Sequence, residues 1–159
     1  MILAIDPGTT ESGWVRLDEG KVIDSGVTDN GDMLAKLERG FCSDTTWMRP
    51  SKVAIEMIAS YGMPVGREVF ETCVWIGEFK HACRQRGIPV ELIYRREVKL
   101  HLCGTVKAKD QNVWQALLDK FGGDSAVGRK AAPGPLYGVK SHARAALAVA
   151  VTAAERTAA

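Results

Sequence analysis

An apolar stretch at the start of the chain, Ile2 to Ile5, ends at an acid that is followed by a turn. A continuous apolar run of this length is typical of a central strand buried on both faces. The Pro7-Gly8 pair is a strong breaker, so we predict that the strand ends there. Asp6 would then stand at the carboxyl end of a central strand, where open α/β sheets bind ligands. Because Asp before Pro-Gly also suits a simple turn, this stretch alone leaves a turn cap and a functional acid open.

A second strand-like run, Lys52 to Met57, carries another acid, Glu56, near its end. A short helix predicted before it supplies a crossover, which would make this strand parallel to the first. The ends of neighbouring strands lie ~5 Å apart. We therefore expect Asp6 and Glu56 to face one another across a metal ion, for which carboxylate oxygens are suitable ligands.

The remaining segments complete one predicted α/β domain that spans residues 1–159. Strands are predicted at 2–5, 13–18, 21–27, 52–57 and 90–94. Helices are predicted at 32–39, 67–86, 110–121 and 141–154. Residues 95–101 are predicted as a basic segment, 122–140 as a loop and 42–50 as irregular. The order β-β-β-α-β-α-β-α-α predicts a five-stranded mixed sheet, with three antiparallel strands and then two parallel ones, flanked by helices.

The composition excludes several classes of protein. With 46% hydrophobic and 25% charged residues, the chain is typical of a globular protein. It contains no apolar run of the ~20 residues that span a bilayer, and no signal peptide is visible, so we expect no membrane association and a cytoplasmic location. The cysteines show no paired zinc-ligand spacing and are predicted to be free thiols; they are Cys42, Cys73, Cys83 and Cys103.

The charge is distributed unevenly along the chain. Residues 1–94 carry 10 Lys and Arg against 14 Asp and Glu, whereas residues 95–144 carry 10 against 4. A basic half beside an acidic half fits a polyanionic partner near a metal site, and a solvated charged face fits equally well. The long helix at 67–86 is apolar over a wide face, which predicts packing against a second copy as well as its own sheet.

Three blocks of the sequence resemble the RuvC-type Holliday junction resolvases of the ribonuclease-H-like superfamily. They are Ile2-Leu-Ala-Ile-Asp-Pro-Gly-Thr-Thr-Glu-Ser-Gly13, Val53-Ala-Ile-Glu-Met57 and His142-Ala-Arg-Ala-Ala-Leu-Ala-Val-Ala-Val151. Residues 95–115 are similar more loosely. The stretches 59–66 and 135–138 resemble compact phage or prophage relatives. The resemblance therefore covers most of the chain and implies a bacterial or phage-encoded protein.

The resemblance implies that a homodimer hydrolyses branched DNA with two Mg²⁺ ions per site, Mn²⁺ being a substitute. Asp6 and Glu56 match the metal-binding acids of the first and fourth strands. His142 matches a ligand at the start of the last helix. The family's next ligand, three residues later, falls on Ala145, which cannot bind a metal. Either the protein works with fewer ligands or an inactivating substitution stands there. Asp110, which also fits a helix cap, and Asp124, in a predicted loop, are conceivable substitute ligands.

These residues would suit a two-metal hydrolysis of a phosphodiester. Asp6 would bridge both ions, Glu56 would hold one ion, and His142 would hold the other or transfer a proton. Tyr61 and Met63 fit two interpretations equally well: they would stack or wedge at the junction centre, or their loop would pack on its own helix. Cationic side chains near the last helix are predicted to contact phosphates; they are Lys107, Lys109, Arg129, Lys130, Lys140 and Arg144.

Three other functions compete with a branched-DNA nuclease. Asp6-Pro-Gly-Thr-Thr also resembles the first phosphate loop of sugar-kinase and chaperone ATPases, but these need a second lobe, so no nucleotide cofactor is expected. A non-catalytic junction- or DNA-binding module would account for Ala145. A nuclease that cuts flaps, forks or RNA–DNA hybrids would use the same residues, because such enzymes recognise backbone shape.

Overall fold

The computed structural model describes residues 1–40 and 49–158 of the chain. Five strands form its main sheet: β1 Ile2–Pro7, β2 Glu11–Asp18, β3 Lys21–Asp29, β4 Lys52–Met57 and β5 Val90–Tyr94. The sheet order is β3-β2-β1-β4-β5. The first three strands pair antiparallel, and β4 is parallel to both β1 and β5. The predicted five-stranded mixed sheet is thus confirmed.

In residues 1–40 and 49–158, five α-helices flank this sheet. They are α1 Asn30–Arg39, α2 Arg67–Gln85, α3 Arg95–Cys103, α4 Asp110–Lys120 and α5 His142–Ala158. Helix α3 was expected only as a basic segment, because its charged residues obscure the helical spacing of the apolar ones. Its Val98 is fully buried, and the Glu97 side chain accepts a hydrogen bond from the Tyr94 N–H at its start.

The segment 122–140, predicted as a loop, contains regular structure in the described chain. A 3₁₀ turn at Gly123–Ser125 precedes a short hairpin of two strands, β6 Gly128–Arg129 and β7 Ala132–Pro133. Two buried side chains, Leu136 and Val139, anchor the return of the chain to α5. Such brief strands leave too short a pattern to be predicted from sequence.

The core lies on both faces of the sheet. On one face, Ala4 and Val15 pack with the buried alanines and Leu147 of α5. On the other, Leu3 and Ile5 pack with α1 and α2. Strand β1 is therefore buried on both sides, as its apolar sequence predicted.

Two further predictions bear on the chain's class. Among the described residues, no helix is both long enough and apolar enough to span a bilayer. Cys73, Cys83 and Cys103 are free thiols, as expected. Cys42 and most of the segment predicted as irregular lie outside the described residues.

Candidate metal centre and nucleic-acid cleft

The two acids at the sheet edge occupy adjacent strands. Ile5 of β1 pairs with Ile55 of β4 in the parallel register, so Asp6 and Glu56 follow side by side. Their side chains are 18% and 15% exposed, respectively. Both line an open cleft of about 500 Å³. The parallel pairing predicted from the crossover therefore brings these two carboxylates to one site.

The loop that follows Asp6 is held by hydrogen bonds to three successive carbonyls. Asn30 Nδ2 donates to the Gly8 carbonyl at 3.0 Å, and Trp75 Nε1 donates to that of Thr9 at 3.0 Å. The Asn30 backbone N–H donates to the Thr10 carbonyl at 2.9 Å. Because α1 and α2 supply these donors, the loop after Asp6 is tied to both helices.

His142 begins α5 and faces the first acid. Its Nδ1 lies 3.0 Å from Asp6 Oδ2, within hydrogen-bonding distance. Gly13, directly opposite Asp6 on β2, permits this approach, because a Cβ there would overlap the backbone of His142. The structure thus brings together all three residues predicted for the metal site.

Ala145, one helical turn after His142, also lines the cleft. A carboxylate at this position would therefore face Asp6 and Glu56. Within residues 1–40 and 49–158, no group of three or more His, Cys, Asp or Glu side chains is arranged to hold a metal ion. Asp124 lies in the 3₁₀ turn. It lines neither this cleft nor a second, smaller cleft that is also lined by Asp6 and Glu56.

Arg95, which was not predicted as a site residue, and Asp110, which was named only as an alternative acid, also line the cleft. Arg95 directly follows β5, the neighbour of β4. Its Nη2 donates to Asp110 Oδ1 at 2.6 Å, while its Nη1 lies 3.6 Å from Glu56 Oε2. The strand-end rule that selected Asp6 and Glu56 also applies to Arg95, so the sequence did contain a signal for it.

The contact between Arg95 and Glu56 is longer than a hydrogen bond. Arg95 Nη1 and Glu56 Oε2 are both buried, and neither has a hydrogen-bond partner in the described part of the protein. Buried polar atoms of this kind are uncommon and call for a missing ion, water or ligand. Glu56 Oε2, which lacks a partner and lies beside Asp6, fits a hard divalent cation such as Mg²⁺. Water and phosphate oxygens would complete the coordination of that ion.

The protonation of these groups reflects their burial. Burial, followed by the charge of Asp6, raises the pKa of Glu56 from its ordinary 4.5 to about 7. Burial also raises the pKa of Asp6, although the hydrogen bond and the charge of His142 oppose this. The hydrogen bond from Arg95 lowers the pKa of Asp110. Each of the two central carboxyls therefore keeps its proton to a higher pH than it would in water, and a bound cation would favour the release of that proton.

The walls of the cleft are suited to a nucleic acid. Arg144 lies over the ring of Trp114, with its guanidinium carbon 4.2 Å from the ring centroid. Gln111 and Ser141 add polar groups to the lining. Behind the acids, a smaller cleft of about 220 Å³ is lined by Asp6, Glu56, Ile58 and the first turns of α2. The acids thus lie between two openings.

The predicted DNA contacts fall in five places. Arg144 lies in the cleft itself. Tyr61 and Met63 are exposed in the loop between β4 and α2, where Arg96 lies 4.9 Å from the Tyr61 ring centroid. The other predicted contacts are exposed beside α4, on the β6–β7 hairpin and before α5; they are Lys107, Lys109, Arg129, Lys130 and Lys140.

Comparison with solved structures identifies the fold. The chain matches no known family model and no curated protein sequence. The RuvC structure from Thermus thermophilus matches with a TM-score of 0.66 and 23% identity, covering 98% of this chain and 94% of that one. T. thermophilus RuvC in complex with a Holliday junction substrate matches with a TM-score of 0.69 and 23% identity, covering 98% and 93%. The chain therefore has the RuvC-like form of the ribonuclease-H-like α/β fold over nearly its whole length.

Proposed function

We propose that the protein is a metal-dependent endonuclease that cuts four-way or other branched DNA. The observation that carries this proposal is the pair of buried carboxylates, Asp6 and Glu56, at adjacent strand ends in an open cleft. The fold also supports the proposal, since T. thermophilus RuvC, which has a similar fold, has been solved in complex with a Holliday junction substrate. The proposal places the protein in the cytoplasm of a bacterium or phage-infected cell.

In this mechanism, bound Mg²⁺, as one or two ions, would stabilise the charge that develops on the phosphate and lower the pKa of an attacking water. Asp6 and Glu56 would hold the cation. His142, at hydrogen-bonding distance from Asp6, would orient that carboxylate, complete the ligand set or move a proton through its free Nε2. The stacked Arg144 and Trp114 would support the DNA backbone within the cleft.

The DNA would extend beyond the cleft along basic side chains. Lys109 precedes the first turn of α4, and Lys140 precedes Ser141 of the cleft lining. Arg129 and Lys130 would reach a more distant arm from the hairpin. Tyr61 and Met63, both exposed near the smaller cleft, would contact bases at the branch point. Such contacts predict affinity that falls steeply with salt.

The proposal includes a homodimer that pairs through α2. Phe70 and Val74 are 62% and 63% exposed, and Gly77 continues the same helix face. Apolar side chains so exposed on one stripe are typical of an interface. We expect Val74→Glu to convert a dimer into a monomer in sedimentation velocity, whereas Gln85→Glu near the end of the helix would not. A monomer before any substitution would contradict this part of the proposal.

A second candidate, a binding module without catalysis, is favoured by Ala145 because this residue lies where a third carboxylate would enter the cleft. The deciding experiment incubates the protein and its Ala145→Asp variant with a labelled four-way junction and a matched linear duplex, in Mg²⁺ and in Mn²⁺. Paired nicks on the junction made by the unaltered protein would support the enzyme with Ala145 in place. Cleavage by Ala145→Asp alone would show a disarmed nuclease. Tight junction binding without cleavage by either protein would favour the module.

A further inference from the structure

Arg95 lies beside Glu56, with its Nη1 3.6 Å from Oε2, and it is hydrogen-bonded through its other terminal nitrogen. Its Nη2 hydrogen-bonds Asp110, which lies in the first turn of α4. Lys99 Nζ approaches the same Asp110 oxygen at 4.0 Å. Asp110 thus holds one end of the Arg95 guanidinium in the cleft, which both residues line.

The other end of the guanidinium faces Glu56 without bonding it. At 3.6 Å, Nη1 and Oε2 attract each other, yet the distance exceeds that of a charge-assisted hydrogen bond, ~2.7–2.9 Å. Both atoms are buried, and both lack a hydrogen-bond partner among the described residues. An arrangement selected only for a stable ion pair would close this gap, because each unsatisfied buried atom is costly.

We propose that Arg95 is a fixed cation of the site, which competes with a divalent ion for Glu56 and binds the DNA phosphate once that carboxylate is engaged. This inference rests on the proposed function. A divalent ion on Glu56 removes the attraction for Arg95 and leaves Nη1 without its anionic neighbour. A phosphodiester oxygen entering the cleft supplies a new acceptor, while Asp110 continues to hold Nη2. Arginine suits this role because its planar fork bonds two anions in fixed directions.

The proposal predicts that one substitution changes two affinities in opposite directions. Arg95→Met removes the charge while keeping much of the apolar stem. Its affinity for Mn²⁺, measured by titration calorimetry, is expected to rise at least about fivefold because the competing cation is gone. Its affinity for a four-way junction in Ca²⁺ is expected to fall roughly tenfold or more, since one charged phosphate contact is lost. The slope of log affinity against log salt is expected to decrease by about one.

Control variants separate this role from a structural one. Arg84→Met, an exposed arginine on α2 that lines neither cleft beside the acids, is expected to leave both affinities unchanged. Arg95→Lys keeps the charge and is expected to restore most of the salt slope. If Arg95 were merely structural, both affinities of Arg95→Met would fall together with its melting temperature, and the proposal would be overturned. Unchanged junction affinity in a folded Arg95→Met protein would overturn it equally.

The role of Asp110 is tested by Asp110→Asn. Mn²⁺ affinity is expected to remain within about twofold while junction affinity falls, because Asp110 holds Arg95 and not the ion. A large loss of Mn²⁺ affinity would make Asp110 a metal ligand and overturn its assignment. The proposed function is tested separately by the unaltered protein. If it binds a linear duplex as tightly as a junction, the branched-DNA proposal fails. In that case the salt dependence of duplex binding by Arg95→Met still decides the role of Arg95.

Discussion

The two carboxylates at the sheet edge lie one strand apart but have different surroundings. Asp6 accepts a hydrogen bond from an imidazole, and the loop after it is fixed through three carbonyls. Glu56 has an oxygen without a partner, and an exposed loop follows its strand. Burial raises both pKa values, that of Glu56 to about 7. The site thus combines a satisfied acid with one that is destabilised until a cation arrives.

This difference indicates a division of roles. A satisfied carboxylate keeps its position with or without metal, so Asp6 would define the place of the ion. A carboxylate lacking partners gains most from binding, so Glu56 would contribute most of the change in free energy. Substitutions on either side of the cleft should reveal the contrast.

The largest expected effect concerns Glu56→Gln in the absence of metal. Because the folded-state pKa of Glu56 lies at about 7, above its ordinary 4.5, the native protein loses stability as pH rises through this window. The amide cannot ionise, so the variant should gain up to ~3 kcal/mol relative to the native protein between about pH 4 and pH 8. Urea unfolding in a chelator at both pH values measures this. An equal difference at the two pH values would contradict the destabilisation of Glu56.

A somewhat smaller effect is expected for Gly13→Ala, which tests the Asp6 side. The added Cβ overlaps the backbone of His142, so α5 must shift away from β2 at a cost of about 1–3 kcal/mol. Junction cleavage should fall as well, because His142 moves from Asp6. Gln85→Ala is the control, since this exposed position near the end of α2 lies outside the proposed interface and away from the cleft. Equal stabilities of the two variants in urea would refute the tight contact.

The smallest effect is expected for His142→Asn. His142 lowers the pKa of Asp6 against the effect of burial, so its loss should raise that pKa further. The imidazole is 51% exposed, and solvent screening should limit the change in unfolding free energy to under ~1 kcal/mol. His81→Asn, at an exposed position on α2, serves as the control. A change above 2 kcal/mol at pH 8 would mean that Asp6 depends on His142 far more than its surroundings suggest.

The strand order and the position of the acids could be predicted because their signals are local. Apolar runs marked β1 and β4, and each run carried its acid at the end that turned out to lie in the cleft. The crossover rule then made the two strands parallel. Sequence reasoning missed α3, because its one buried residue, Val98, lies between charged residues in the sequence.

The roles of Arg95 and Asp110 could not be predicted as a pair. They are fifteen positions apart, and only the fold brings α3 and α4 together at the cleft. Asp110 was interpreted as a helix cap, yet its carboxylate is bound by the guanidinium. The strand-end rule was applied to acids alone, and for this reason the arginine after β5 was missed.

The loop after Asp6 is more firmly attached to the rest of the protein than the loop after Glu56, and this has an evolutionary consequence. The segment 58–66 is almost entirely exposed, and its internal backbone hydrogen bond runs from the Met63 N–H to the Ser60 carbonyl. Residues there can be exchanged without repacking the core, whereas residues 8–13 are bound by Asn30, Trp75 and the start of α5. If the proposed function holds, natural variants could therefore acquire new branched substrates through the exposed loop while Asp6 and its surroundings stay unchanged. Grafting that loop between relatives would be a direct way to redirect such an enzyme.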